Sequence, residues 1–278
     1  MQVLKSLEEL RAWRKQLKGS LAFVPTMGNL HEGHLKLVDL GRQRADAVIV
    51  SIFVNPLQFG ANEDLDSYPR TFAADCQALV ERGAAAVFAP TVADMYPRGL
   101  AQQSYIEVPD ISDILCGASR PGHFRGVATI VAKLFNMVQP DLAIFGEKDY
   151  QQLQVIRLMS KDLSLPVKVI GMPTERAADG LALSSRNGYL TATERQQAPL
   201  IYATLQTIAA QLKAGSAIES AVAEATERLQ QGGFRIDYLS VRRRNDMAEA
   251  SSNDNELVIV VAAYLGKTRL IDNLQVTR

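Results

Sequence analysis

Two histidines, His31 and His34, stand three positions apart, directly after an apolar run and a glycine-containing turn. The run is Leu21, Ala22, Phe23 and Val24; it stops at Pro25, and the turn is Thr26, Met27, Gly28 and Asn29. Strand, tight turn and helix start, in that order, predict an anion site. The first N–H groups of a helix lack intrahelical partners, and the dipole is positive at that end. An i, i+3 pair lies on one helix face, so both imidazoles serve one place. Capping or surface histidines would explain the pair without chemistry. Zinc is a second reading, but only His123 remains as a third histidine and no cysteine lies nearby. Phosphate binding is favoured, because a Pro-Thr-Met-Gly turn lets backbone N–H groups approach an anion closely.

Other polar groups follow other apolar runs. Asn55 and Gln58 come after AVIVSIFV (residues 47–54), and Lys148, Asp149 and Gln152 come after residues 142–145. In an open parallel sheet, ligands bind beyond the C-terminal strand ends, so three separate segments deliver polar groups to one edge. Singly, each is weak: most lysines and glutamines are solvated, and Ser184-Ser185-Arg186 fits a helix-capping turn. Two hydroxyls beside a guanidinium also suit a mobile loop closing on phosphate oxygens. Asp75 is either a Mg²⁺ ligand or a structural helix aspartate.

These groups need elements to position them. Ser6 and Glu9 form a capping-box pattern, and Leu7, Leu10, Trp13 and Leu17 repeat at helical spacing up to Gly19. Residues 47–54 read as a strand buried on both faces, ended by Asn55-Pro56. A polar loop runs to Arg70. Residues 71–82 read as a helix with Phe72, Leu79 and Val80 inward and Gly83 closing it. Residues 86–89 form a short strand, and residues 91–125 resist assignment. A helix over 129–138, a strand over 142–145, a helix over 150–163 capped by Asp149, and a strand over 167–172 follow. Alternating strands and helices imply right-handed crossovers and a mostly parallel sheet, a Rossmann-like α/β domain over residues 1–175. Residues 176–278 read as a smaller α+β domain and a lid over the active site. It has a long helix at 193–213, a second at 218–229 and an antiparallel sheet from 235–241, 256–263 and 268–271.

Composition narrows the function. Thirty basic and thirty acidic residues cancel, which argues against nucleic acid or a membrane surface as partner. Two cysteines, Cys76 and Cys116, are too few for a disulfide framework. No signal-like or membrane-spanning run is evident, so a cytoplasmic protein is expected.

Five blocks now resemble a known family. PTMGNLHEGH carries the His-x-Gly-His signature of the nucleotidyltransferase superfamily at His31, Gly33 and His34. FVNPLQF, RPGHFRGV, GEKDYQQL and DGLALSSRN follow in matching order, and LIDN (Leu270 to Asn273) stands near the end. Together they resemble the pantothenate synthetases, ATP-dependent ligases joining pantoate to β-alanine. Cys116 stands where that family usually carries a glutamate, which implies altered packing or dimer contacts. Leu57 replaces a common methionine at little cost in volume.

The resemblance implies roles. Met27, Gly28, Asn29, Leu30, His31, Glu32, Gly33 and His34 would wrap ATP, with His34 the proton donor and His31 on the phosphates. Gly146, Glu147, Lys148 and Asp149 would contact the nucleotide, as would Glu175. Leu183, Ser184, Ser185 and Arg186 would form the closing loop. Gln58, Gln152 and Asn55 would hold pantoate, and Gln58 would also touch β-alanine. Mg²⁺ carried on ATP and a homodimer complete the set. Two rival readings are a nucleotidyltransferase that keeps the nucleotide in its product and a silent nucleotide sensor.

Overall fold

The structure is a computed structural model describing residues 1–60 and 63–278. The chain divides into two compact units: Met1–Glu147 with Val155–Pro173, and Lys148–Gln154 with Thr174–Arg278.

The first unit is built on six strands: β1 (Gln2–Leu4), β2 (Leu21–Thr26), β3 (Ala47–Ile52), β4 (Ala86–Phe88), β5 (Leu142–Gly146) and β6 (Lys168–Met172). They form one sheet in the order β1-β4-β3-β2-β5-β6, and every pair is parallel. Helices α1 (Leu7–Gln16), α2 (Glu32–Arg44), α3 (Phe72–Glu81), α4 (Val92–Met95), α5 (Cys116–Ser119) and α6 (His123–Val138) link the strands, and α7 (Tyr150–Asp162), between β5 and β6, has its first residues, Tyr150–Gln154, in the second unit. The α/β class expected from the alternation is the one found. Ser6 and Glu9 make the reciprocal capping box that starts α1. Leu21 to Val24 and Val48 to Val50 are fully buried, as strands covered on both faces must be.

Four local expectations change. β2 runs through Pro25 to Thr26. Its Thr26 carbonyl accepts from Phe53 on the β3 side, and its Leu21 carbonyl accepts from Asp141 on the β5 side. Alternate residues of a parallel strand face alternate neighbours, so Pro25 faces β5, where pairing is confined to Ala22 and Phe23. Its missing N–H therefore interrupts no ladder. In α3 the buried residues are Asp75 and Leu79, while Phe72 and Val80 are 38% and 55% exposed. Helix α6 begins at His123, six residues before the first expected turn. Gly122 at φ +81° leads into it with no side-chain cap, so no capping signal marks the start. β1, three residues long, pairs with β4 at the sheet edge and carries too short a pattern to be read.

The second unit carries α8 (Ala192–Gln197), α9 (Leu200–Lys213), α10 (Ile218–Gln231), β7 (Phe234–Arg243), β8 (Glu256–Leu265) and β9 (Thr268–Thr277). The three strands form an antiparallel sheet, β7-β8-β9. Ile201, Leu205 and Ile208 of α9 pack with Leu229 of α10 and with Leu257, Ile259 and Val261 of β8. The long helix expected over 193–213 is two helices. Pro199 lacks an N–H and its ring crowds the preceding turn, so α8 ends before it and α9 starts after it. Among the described residues, no helix is long and apolar enough to cross a membrane.

Candidate active site

In the first unit the strand order reverses around β2, which has β3 on one side and β5 on the other. The crevice beyond the C-terminal ends of β2 and β5 is the switch point where such sheets bind ligands. Met27 to His34 leave β2 there, and Gly146 and Glu147 end β5 there.

The loop is not an open nest of N–H groups. Gly28 (φ +83°) and Asn29 (φ +51°) adopt left-handed conformations that curl the chain back on itself. Gly28 N–H donates to Thr26 Oγ1 (3.2 Å), and Asn29 and Leu30 N–H donate to the Asp75 carboxylate (3.0 and 2.8 Å). Thr71 Oγ1 donates to the same carboxylate at 3.0 Å. Asp75 is buried and acts as the loop's internal anion. Of the two readings the sequence allows for Asp75, these partners are those of a structural aspartate, and the Asn29 and Leu30 amides are engaged with it.

The histidines cap the helix. His31 is the N-cap of α2: its Nδ1 accepts from Gly33 N–H at 3.2 Å, and His34 Nδ1 accepts from His31 N–H at 3.3 Å. The rings lie 4.0 Å apart between centroids. A backbone N–H only donates, so each Nδ1 is unprotonated and each neutral ring carries its hydrogen on Nε2. Two Nε2–H donors at a helix N-terminus suit an anion and not a metal, which would need the lone pairs. Glu32 turns to Arg82, which grips its carboxylate at 2.7 and 2.9 Å and also reaches Asp39 at 2.6 Å. Met27 and Gly33 are half-buried in the same loop.

After β3, Asn55 is 0% exposed. Its Oδ1 accepts from Leu57 N–H (3.3 Å) and Tyr96 OH (2.7 Å), and its Nδ2 donates to the Gly126 carbonyl (3.2 Å). Burial raises the Tyr96 hydroxyl pKa far above the ordinary value, against a smaller opposing effect of the Asn55 bond, so it remains a donor. In this structure Asn55 therefore works inside the loop. It caps the 3₁₀ turn Pro56–Gln58, and Gln58 ends that turn half-buried. Arg120 and His123, to which residue type and spacing assign no role, both reach the Gln58 carbonyl (3.0 and 2.9 Å). Their block, RPGHFRGV, was the available signal.

In the second unit, Lys148 and Asp149 sit in a 3₁₀ turn that leads into α7, and Gln152 is half-buried on the first turns of that helix. Lys148 Nζ lies 4.0 Å from Asp149 Oδ2, and its side chain is 17% exposed. Residues 175–183 fold back as a hairpin, with Leu183 N–H on the Glu175 carbonyl (2.9 Å) and Ala177 N–H on that of Leu181 (2.8 Å). Ser184 Oγ then accepts from Arg186 N–H (3.3 Å) and caps the 3₁₀ turn Ser185–Tyr189. The LIDN block explains itself here. Asp272 pairs with Arg176 at the hairpin base (2.6 and 2.9 Å), and Asn273 Nδ2 donates to the Lys148 carbonyl (2.9 Å). Adjacent buried residues of β9 thus brace both the Lys148 turn and the hairpin before Ser184. Cys76 and Cys116 are free thiols, and burial, then the Asp75 charge, raise the Cys76 pKa.

A doubly wound parallel sheet whose switch-point loop carries paired Nε2–H imidazoles is the architecture of a nucleotide-using α/β enzyme. The chain belongs to the pantoate-β-alanine ligase family, whose model matches residues 2–275. It is 63% identical to the pantothenate synthetase of Idiomarina loihiensis over 277 residues, covering 100% of this chain and 98% of that one. Among solved structures, the Thermus thermophilus pantothenate synthetase superposes with a TM-score of 0.94 at 45% identity, covering all of both chains. The Francisella tularensis pantoate-β-alanine ligase, complexed with β-γ ATP and β-alanine, gives a TM-score of 0.84 at 36% identity over 99% of this chain and 97% of that one.

Proposed function

We propose that the chain condenses pantoate with β-alanine at the expense of ATP. The pantoate carboxylate attacks the α-phosphorus and displaces pyrophosphate, leaving an enzyme-bound pantoyl adenylate. The β-alanine amine then attacks the acyl carbon, loses a proton and displaces AMP. The observation that carries this reading is the His31–His34 pair, held as two Nε2–H donors at the switch point. The Francisella ligase, with its nucleotide and β-alanine, supports the substrate set.

In this reading His34 and His31 donate to the ATP phosphates, and Lys148, Ser184, Ser185 and Arg186 stabilise the charge that develops there. Gln58 and Gln152 orient pantoate, so positioning and electrostatics carry the rate. Mg²⁺ enters on the ATP phosphates, a mode that asks few ligands of the protein. The second unit closes as a lid, the enzyme is a homodimer, and it works in the cytoplasm. AMP formation from ATP and pantoate, with and without β-alanine, tests the function. β-Alanine-dependent AMP release is expected; its absence overturns the reading. A nucleotide-linked product would mark a transferase instead.

A further inference from the structure

We infer that Arg120 and His123 are positioning residues that set the Gln58 amide for pantoate, an inference that rests on reading Gln58 as a pantoate contact. The 3₁₀ turn that carries Gln58 has no ladder to hold it, yet its end is tied twice to the start of α6. Arg120 Nη2 donates to the Gln58 carbonyl at 3.0 Å, and His123 Nδ1 lies 2.9 Å from the same oxygen. Arg120 Nη1 lies 3.1 Å from His123 Nε2. A guanidinium has donors only, so His123 Nε2 must accept, and the ring hydrogen sits on Nδ1, pointed at Gln58. Arg120 is itself aimed by Glu63, which accepts its Nε and Nη2 at 2.6 and 2.5 Å. The chain of bonds runs from Glu63 to Arg120, from Arg120 to His123, and from both to Gln58. It needs His123 neutral and in one tautomer. At the same place Gly126 lets α6 approach so closely that a Cβ would overlap the Leu57 carbonyl.

A group that only filled space would affect all substrates alike, whereas this one should act on pantoate. Steady-state kinetics of full-length His123→Leu and His123→Asn variants separate the two. The Asn Nδ2 stands where the imidazole Nδ1–H does, so it restores the donor to Gln58. His123→Leu is expected to raise the pantoate KM about tenfold, the worth of one hydrogen bond, with the ATP KM unchanged. His123→Asn is expected to return most of that loss. Equal damage in both variants, parallel rises in both KM values, or no rise in the pantoate KM overturns the inference. If His123→Leu does not fold, Arg120→Lys gives the same readout, since one ammonium cannot serve Glu63, His123 and Gln58 together. Gln58→Ala is the control for the underlying reading. An unchanged pantoate KM there removes Gln58 from the site, whereas a rise there without one in His123→Leu removes only the positioning role.

Discussion

His31 and His34 hold the same helix end by reciprocal bonds: each Nδ1 accepts a backbone N–H, one from Gly33 and the other from His31. The structural and the chemical uses of the pair are therefore one arrangement, because capping through Nδ1 is what leaves the ring hydrogen on Nε2.

That arrangement can be split by substitution. Asn is among the best N-cap residues and Gln serves at the third helical position, so His31→Asn and His34→Gln keep the cap. Both variants are expected to melt within a few degrees of the parent. ATP–pyrophosphate exchange with pantoate is expected to fall on the order of 10²–10³ for His34→Gln. Near-parental exchange would reduce His34 to a cap.

Lys148 and Asn273 form a second test. Lys148→Ala is expected to lower adenylate formation on the order of 10²–10³ while the fold survives. Asn273→Ala removes the donor to the Lys148 carbonyl, with an expected stability loss of about 1 kcal/mol and a smaller rate loss. Thermal melting together with pyrophosphate release measures both. A larger rate loss in Asn273→Ala than in Lys148→Ala would contradict the assigned roles.

Gly126→Ala addresses the close approach of α6. The added Cβ would overlap the Leu57 carbonyl and lie 3.1 Å from the Gln58 nitrogen, and both are main-chain atoms that cannot rotate away. A loss of about 1–3 kcal/mol in unfolding free energy is expected, with a raised pantoate KM. Full retention of both values would show that the turn yields freely.

The Glu63–Arg120 pair has a pH signature. Burial pushes the Glu63 carboxyl up, but the Arg120 hydrogen bonds and charge outweigh it and leave the pKa below the ordinary 4.5. A depressed carboxylate adds stability that is complete above its unfolded pKa and is lost as pH falls through the folded one. The stability gap between the parent and Glu63→Gln should therefore be constant at neutral pH and shrink as pH drops below 4.5. Chemical denaturation at a series of pH values measures it, and a gap that widens in acid would refute the pairing.

Much of this protein was legible in its residues. Both-face-buried strands, the Ser6–Glu9 box and the alternation of elements follow from local periodicity and capping, and these produced the parallel sheet and the strand, turn and helix start around His31 and His34. His31 and His34 declared themselves by spacing alone. Their tautomers did not, nor did the burial of Asn55 or the loop-filling role of Asp75. Asp75 meets Asn29 and Leu30 across more than forty residues of chain, and Asn55 meets Gly126 across 71. Asn273 meets Lys148 across 125. Hydrogen-bond partners at such separations are chosen by how the elements pack, and no period or cap in the sequence encodes them. The residues alone thus determined that PTMGNLHEGH is a strand, a turn and a helix start with two imidazoles on one face. Tertiary packing decided that the Asn29 and Leu30 amides bond to Asp75, and that each imidazole carries its hydrogen on Nε2.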